Sequence, residues 1–255
     1  MKQSVGYFRA TQLSKLYASG AAMILLAQTL PARATETFEQ ARGFYSSGSL
    51  VNPSQLPTDG PGFVHLFEKR GRYWGTEDLV GFIVEAASRM SLAYPEGERL
   101  QIGDIAAQKG GHISGHDSHQ NGLDADIVFY RRNHVEQPVD TEAKGFIESF
   151  VRGNRVTPNF DVDRNWEIIK LLVSSDRVSR IFMDGAIKRT LCLHARALGE
   201  ETTFIQTLRI LRPLEGHTDH MHLRITCPEG SPRCQTQEPP PTGSGCQAVA
   251  YMIYP

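Results

Sequence analysis

GHISGHDSHQNGLDADI, residues 111 to 127, sets three histidines and three aspartates within 17 residues. Its first half is polar and punctuated by glycine, which reads as a loop. Its end runs into LDADIVFY, residues 123 to 130, whose β-branched and aromatic alternation reads as a strand. Residues two apart on a strand share a face, so Asp124 and Asp126 point the same way. His119 precedes Asp126 by seven residues, and a turn at Asn121–Gly122 returns its ring beside the carboxylate. A second cluster completes the pattern. GHTDHMHLRI carries His217, His220 and His222 within six residues, and HMHLRITC reads as another strand. His220 and His222 therefore share a face as well. The two clusters hold six of the chain's nine histidines.

Two imidazoles and one carboxylate on a rigid sheet, with a fourth position left to water, describe a catalytic zinc site. The ligands expected are His119, Asp126 and His222, with His220 beside the ion and free to act. A structural zinc would fill all four positions, mostly with cysteine. No His-Glu-x-x-His helix and no Gly-x-Ser-x-Gly elbow occurs, which excludes the common zincin helix and the serine-hydrolase turn.

Outward from these strands, the chain mixes helices and strands without a regular βαβ rhythm. TEDLVGFIVEAASRMSLAYP reads as an amphipathic helix capped by Thr76, with Leu79, Phe82, Ile83, Ala86 and Met90 as its apolar stripe. RLQIGDI and RVSRIFM read as strands, and GAIKRTLCLHARAL as a helix. DRNWEIIKLLVSS reads as a helix capped by Asp163. The pattern predicts an α+β domain: a small, largely antiparallel sheet with flanking helices that carries the zinc site.

The ends are of a different character. Lys2, Arg9 and Lys15 precede the apolar run AAMILLA, and Ala32-Arg33-Ala34 fits a small-residue cleavage rule. Residues 1–34 are expected to be a secretory signal, leaving 35–255 as one domain, exported and without a stable membrane span. Removing four basic residues leaves 27 − 4 = 23 basic against 28 acidic side chains, a formal charge of −5. That balance argues against nucleic acid as a partner. All four cysteines follow the signal. Cys227 and Cys234 flank the turn PEGSPR and are expected to pair, leaving Cys192 with Cys246 to tether the Pro/Gly-rich tail QTQEPPPTGSG.

GHDSHQNGLDADI and HTDHMHLRITCP resemble the penicillin-insensitive murein endopeptidases, within a superfamily of lysostaphin-type, D-Ala-D-Ala-cleaving and hedgehog-like zinc domains. The likeness runs roughly from Gly48 to Cys246. It implies zinc held by His119, Asp126 and His222, a catalytic imidazole at His220, a further site histidine at His217, and His116 able to contact metal. It also implies cleavage of D-alanyl–meso-diaminopimelyl cross-links in peptidoglycan. One departure stands out: no Asp/His pair lies between Phe146 and Arg155, where the family can bind an additional ion, so one ion is expected. Competing functions are a D,D-carboxypeptidase or dipeptidase of the same superfamily, and a non-catalytic zinc-containing wall-binding module. Asp124 is expected to orient a bound imidazole, and Lys109, Arg131 and Arg132 to face substrate carboxylates. His65, His112 and His134 are expected at the surface, His194 packed in its helix, and Asp117 and Asp219 merely solvated.

Overall fold

The computed structural model describes Phe38 and residues 40–250; the proposed signal lies outside the described residues. A seven-stranded sheet organises them. Its strands are β1 (Asp59–Gly60), β2 (Phe63–His65), β3 (Leu100–Ile102), β4 (Asp124–Val128), β5 (Val178–Met183), β6 (Leu211–Pro213) and β7 (His220–Ile225). Their order across the sheet is β6-β5-β7-β4-β3-β2-β1. β5–β6 and β2–β3 are parallel and the other pairings antiparallel, the largely antiparallel sheet expected.

β4 and β7 lie next to each other near the middle and are buried along their whole length. Their register sets His222 opposite Asp126 and Arg224 opposite Asp124. The period of two then divides each strand. His220, His222, Arg224, Asp124 and Asp126 share one face. Met221, Leu223, Ile225, Ala125 and Ile127 face the other way and join one continuous core with Leu79 and Ile83 and with Trp166 and Ile169. Each large apolar side chain buried there contributes roughly 1.5–3 kcal/mol. That face anchors the polar one.

Among the described residues five α-helices accompany the sheet: α1 (Glu77–Ala93), α2 (Val162–Val173), α3 (Gly185–Ala197), α4 (Ile205–Ile210) and α5 (Cys246–Ala250). Thr76 caps α1, its hydroxyl accepting from the Leu79 amide at 3.2 Å. The cap of α2 is Asp161 and not Asp163: Asp161 Oδ1 accepts from the Arg164 amide at 3.2 Å, and Asp163 lies in the first turn. Both aspartates suit a helix start, and the local sequence does not separate them.

Both expected disulfides are present, Cys192–Cys246 and Cys227–Cys234. The tail between Cys234 and Cys246 is held along its length by arginines. Arg180 donates to the Glu238 carbonyl, and Arg209 to those of Pro240 and Pro241. Gln237 accepts from Arg224 Nη1 at 2.8 Å. Among the described residues no helix is long and apolar enough to cross a membrane.

Candidate metal centre

The loop before β4 delivers His119 in a left-handed conformation (φ 65°), followed by Gly122 at φ 72°. A Cβ on Gly122 would lie 2.7 Å from Leu50 Cδ1, so the turn needs glycine for both its φ and its packing. The turn brings His119 back beside Asp126, with Nε2 3.3 Å from Asp126 Oδ1. The same carboxylate meets three more imidazoles. Oδ1 is 3.6 Å from His222 Nδ1 and 3.4 Å from His220 Nε2, and Oδ2 is 3.8 Å from His116 Nδ1.

Each imidazole beside Asp126 is tied at its other nitrogen. His119 Nδ1 donates to the Ile105 carbonyl at 2.6 Å. His222 Nε2 donates to Asp124 Oδ1 at 2.9 Å, and His116 Nε2 to Asp104 Oδ2 at 3.1 Å. These ties leave a lone pair on His119 Nε2, His222 Nδ1 and His116 Nδ1, all turned toward Asp126. Imidazoles that ligate metals are fixed in this way by an acceptor behind the ring. Two ligand atoms about 2.1 Å from one tetrahedral ion stand about 3.4 Å apart. The spacings of His119, His220 and His222 from Asp126 all lie close to that edge. Both Asp126 oxygens and His119 Nε2 are buried without a hydrogen-bond partner, which is costly unless a cation satisfies them. Among the described residues, His116, His119 and Asp126 form a group whose possible ligand atoms all lie within 4.8 Å of one another, a group that includes His116 and leaves out the expected ligand His222.

The local field asks for positive charge. Burial favours a neutral Asp126, yet His119 and His220 outweigh it and hold the carboxyl well below the usual carboxylate range. Burial likewise opposes a charged His119, but Asp126 overrides it and raises the imidazole. His222 goes the other way, pushed down to about 4 chiefly by burial.

His220 and His217 complete a cleft of about 490 Å3 that His116, Asp126 and His222 also line. His220 is sandwiched: its Nδ1 is 2.5 Å from Asp219 Oδ1, and Phe146 stacks on its ring at 4.5 Å. Burial works against its charged form, but Asp126 and Asp219 lift it to about 10. His217 lies 5.0 Å from His220, ring to ring, and donates through Nδ1 to the Glu215 carbonyl. Burial, then the charge of His220, lowers it.

Comparison with known proteins decides which family this cleft belongs to. The family model described as penicillin-insensitive murein endopeptidase matches residues 41–253. A Klebsiella pneumoniae protein of that name is 36% identical over 214 residues, covering 82% of this chain and 74% of the relative. One from Haemophilus influenzae is 32% identical over 216 residues, covering 83% and 72%, and one from Yersinia enterocolitica is 34% identical over 221 residues, covering 82% and 74%. The chain belongs to the penicillin-insensitive murein endopeptidase family.

Within this family member, His116, His119, Asp126, His217, His220 and His222 converge as the sequence suggested. Asp124 holds one imidazole, that of His222, and separately accepts from the His119 backbone amide at 3.1 Å. Arg224 Nε in turn donates to Asp124 at 2.6 Å. Other expectations are corrected. Arg131 does not face substrate; it is buried, bonded to Glu148 Oε2 and Gln101 Oε1, both at 2.9 Å. Lys109 and Arg132 are exposed but do not line the cleft. His65 is not at the surface: it is 2% exposed, edge-on to Tyr73, and burial pushes it down to about 4. His112 and His134 are exposed, and His194 is half-buried, 3.5 Å from Asp163. Asp117 is exposed at the cleft rim, whereas Asp219 is bonded to His220. The sequence reading missed Asp104, which binds Arg70 and Arg72 as well as His116. It lies 12 residues from His116, and no local spacing marks it.

Proposed function

We propose that this protein is a zinc-dependent endopeptidase, exported by residues 1–34 to the periplasm or the cell exterior as the single domain 35–255. Its reaction is hydrolysis of D-alanyl–meso-diaminopimelyl cross-links in peptidoglycan. One observation carries the metal reading: lone pairs of anchored imidazoles converge on a buried carboxylate whose oxygens have no other partner. An all-N/O donor set of histidine and carboxylate suits zinc in a catalytic centre. His119, Asp126 and His222 would hold the ion, with His116 at its side. When bound, zinc supplies a Lewis acid that polarises the scissile carbonyl and acidifies the attacking water. The chain's own groups do the rest. His220 presents Nε2 to the reacting atoms and handles the proton of the attacking water. His217 keeps Nδ1 on the Glu215 carbonyl, so its Nε2 is a proton acceptor beside His220, and the proton His220 takes from the water passes on to the leaving amine. No serine is acylated in such a reaction, which accounts for insensitivity to penicillin.

The substrate is inferred from the family, whose relatives are named for murein cleavage. The test is incubation of the purified mature protein with sacculi, with and without chelator, and identification of released muropeptides by mass. Conversion of cross-linked dimers to monomers, abolished by chelator and restored by zinc, is the expected result. Loss of a terminal D-Ala instead would indicate a D,D-carboxypeptidase, and no change a wall-binding module.

A further inference from the structure

Asp219 stands immediately before β7, whose first residue is His220. Its side chain folds back on its neighbour, placing Oδ1 2.5 Å from His220 Nδ1, and only a quarter of it is exposed. Phe146 lies over the same imidazole with its ring tilted 30° from parallel. The aromatic face fixes the plane of the ring. The carboxylate fixes something else. An ionised carboxylate only accepts hydrogen bonds, so His220 carries a proton on Nδ1 whether the ring is charged or neutral, and its neutral form is the Nδ1–H tautomer. Nε2 is then the nitrogen that faces the cleft, 3.4 Å from Asp126 Oδ1.

The four imidazoles around Asp126 are not tied alike. His119 is tied to a backbone carbonyl, and His222 and His116 are tied to carboxylates through Nε2. His220 alone among them is tied to a carboxylate through Nδ1. A carbonyl fixes a tautomer. A carboxylate also stabilises the imidazolium that forms when the opposite nitrogen takes a proton. The arrangement suits a ring that changes its protonation during each turnover.

We propose that Asp219 is a positioning residue for the reaction: it holds His220 in the Nδ1–H tautomer and directs Nε2 at the reacting atoms. This rests on the endopeptidase reading above. The test uses zinc-loaded parent, D219N and D219S, with three readouts: zinc per chain, kcat and KM on cross-linked muropeptides, and the His220 tautomer by 15N NMR. Both variants should keep zinc and KM within about twofold of the parent and lose about 10²–10⁴-fold in kcat. In both, the neutral His220 ring, observed at a pH where it has lost its second proton, should no longer be confined to the Nδ1–H tautomer. A kcat within about twofold of the parent in both variants, with the proton still on Nδ1, would overturn the assignment. So would zinc loss in proportion to activity, because Asp219 would then be supporting the metal centre and not the ring. The NMR readout needs no turnover. A parent that cleaves no cross-link would therefore defeat the endopeptidase reading while the tautomer result still decides the role of Asp219.

Discussion

Removing the Cys192–Cys246 bridge should cost this protein more than removing Cys227–Cys234. Both bridges leave the folded contacts in place, so the difference lies in the unfolded chain. Cys192 and Cys246 are 54 residues apart, and Cys227 and Cys234 only 7. The chain-entropy relation converts those loops into about 4 and about 2 kcal/mol at 25 °C. At about 2–4 °C per kcal/mol for a domain of this size, the midpoints should fall by about 8–16 °C and about 4–8 °C. The double variants Cys192→Ala/Cys246→Ala and Cys227→Ala/Cys234→Ala, melted metal-free so that ion binding does not mask the loss, make the comparison. Cys192 and Cys246 are buried, whereas Cys227 and Cys234 are only partly buried against the core, so truncating the sulfurs adds more to the larger loss than to the smaller. Equal losses, or a larger loss from the short loop, would refute the loop-length reasoning.

Three further outcomes are expected. His220→Ala should retain zinc near the parent stoichiometry yet lose about 10²–10⁴-fold in turnover; metal analysis beside a muropeptide assay measures both. Asp104→Ala frees His116 from its anchor and should weaken zinc binding about 10–100-fold in a chelator-competition titration. His65 titrates near 4 in the fold against 6.5 when unfolded, so between those values the unfolded chain binds the extra proton. Stability from neutral His65 is full above pH 6.5 and is lost as pH falls toward 4, by up to about 3 kcal/mol. Urea unfolding of His65→Gln should show a correspondingly flatter pH dependence than the parent, and parallel curves would contradict it.

The strands that carry the centre were legible because their periodicity and chemistry coincide. Alternation in LDADIV and HMHLRI names both the strands and the face their polar residues share. The long helices were legible for a similar reason, each having a stripe and a polar start. Short elements were not. The hairpin Ala41–Phe44 with Ser47–Leu50, strands β1 and β2, and helix α4 are too brief for any period to register. Long-range electrostatics was invisible as well. Arg131 looks like a surface cation beside a motif, and only the fold reveals Glu148 and Gln101 waiting for it. Asp104 was passed over and Asp219 read as solvated because an aspartate's partner, not its position, decides whether it is solvated.

The direct opposition of His222 and Asp126 across β7 and β4 has a consequence for how the protein matures. A slip of one residue would turn every polar side chain on the moving strand to the other side. Partial credit is therefore impossible: a molecule either has the zipper aligned or has no centre at all. The two halves lie about a hundred positions apart, as in the 98 that separate Asp124 from His222. A folding chain thus carries no competent hydrolase until its last long strand has docked. Recovered activity after refolding should then count correctly threaded molecules, where a circular dichroism signal would also count the misaligned ones.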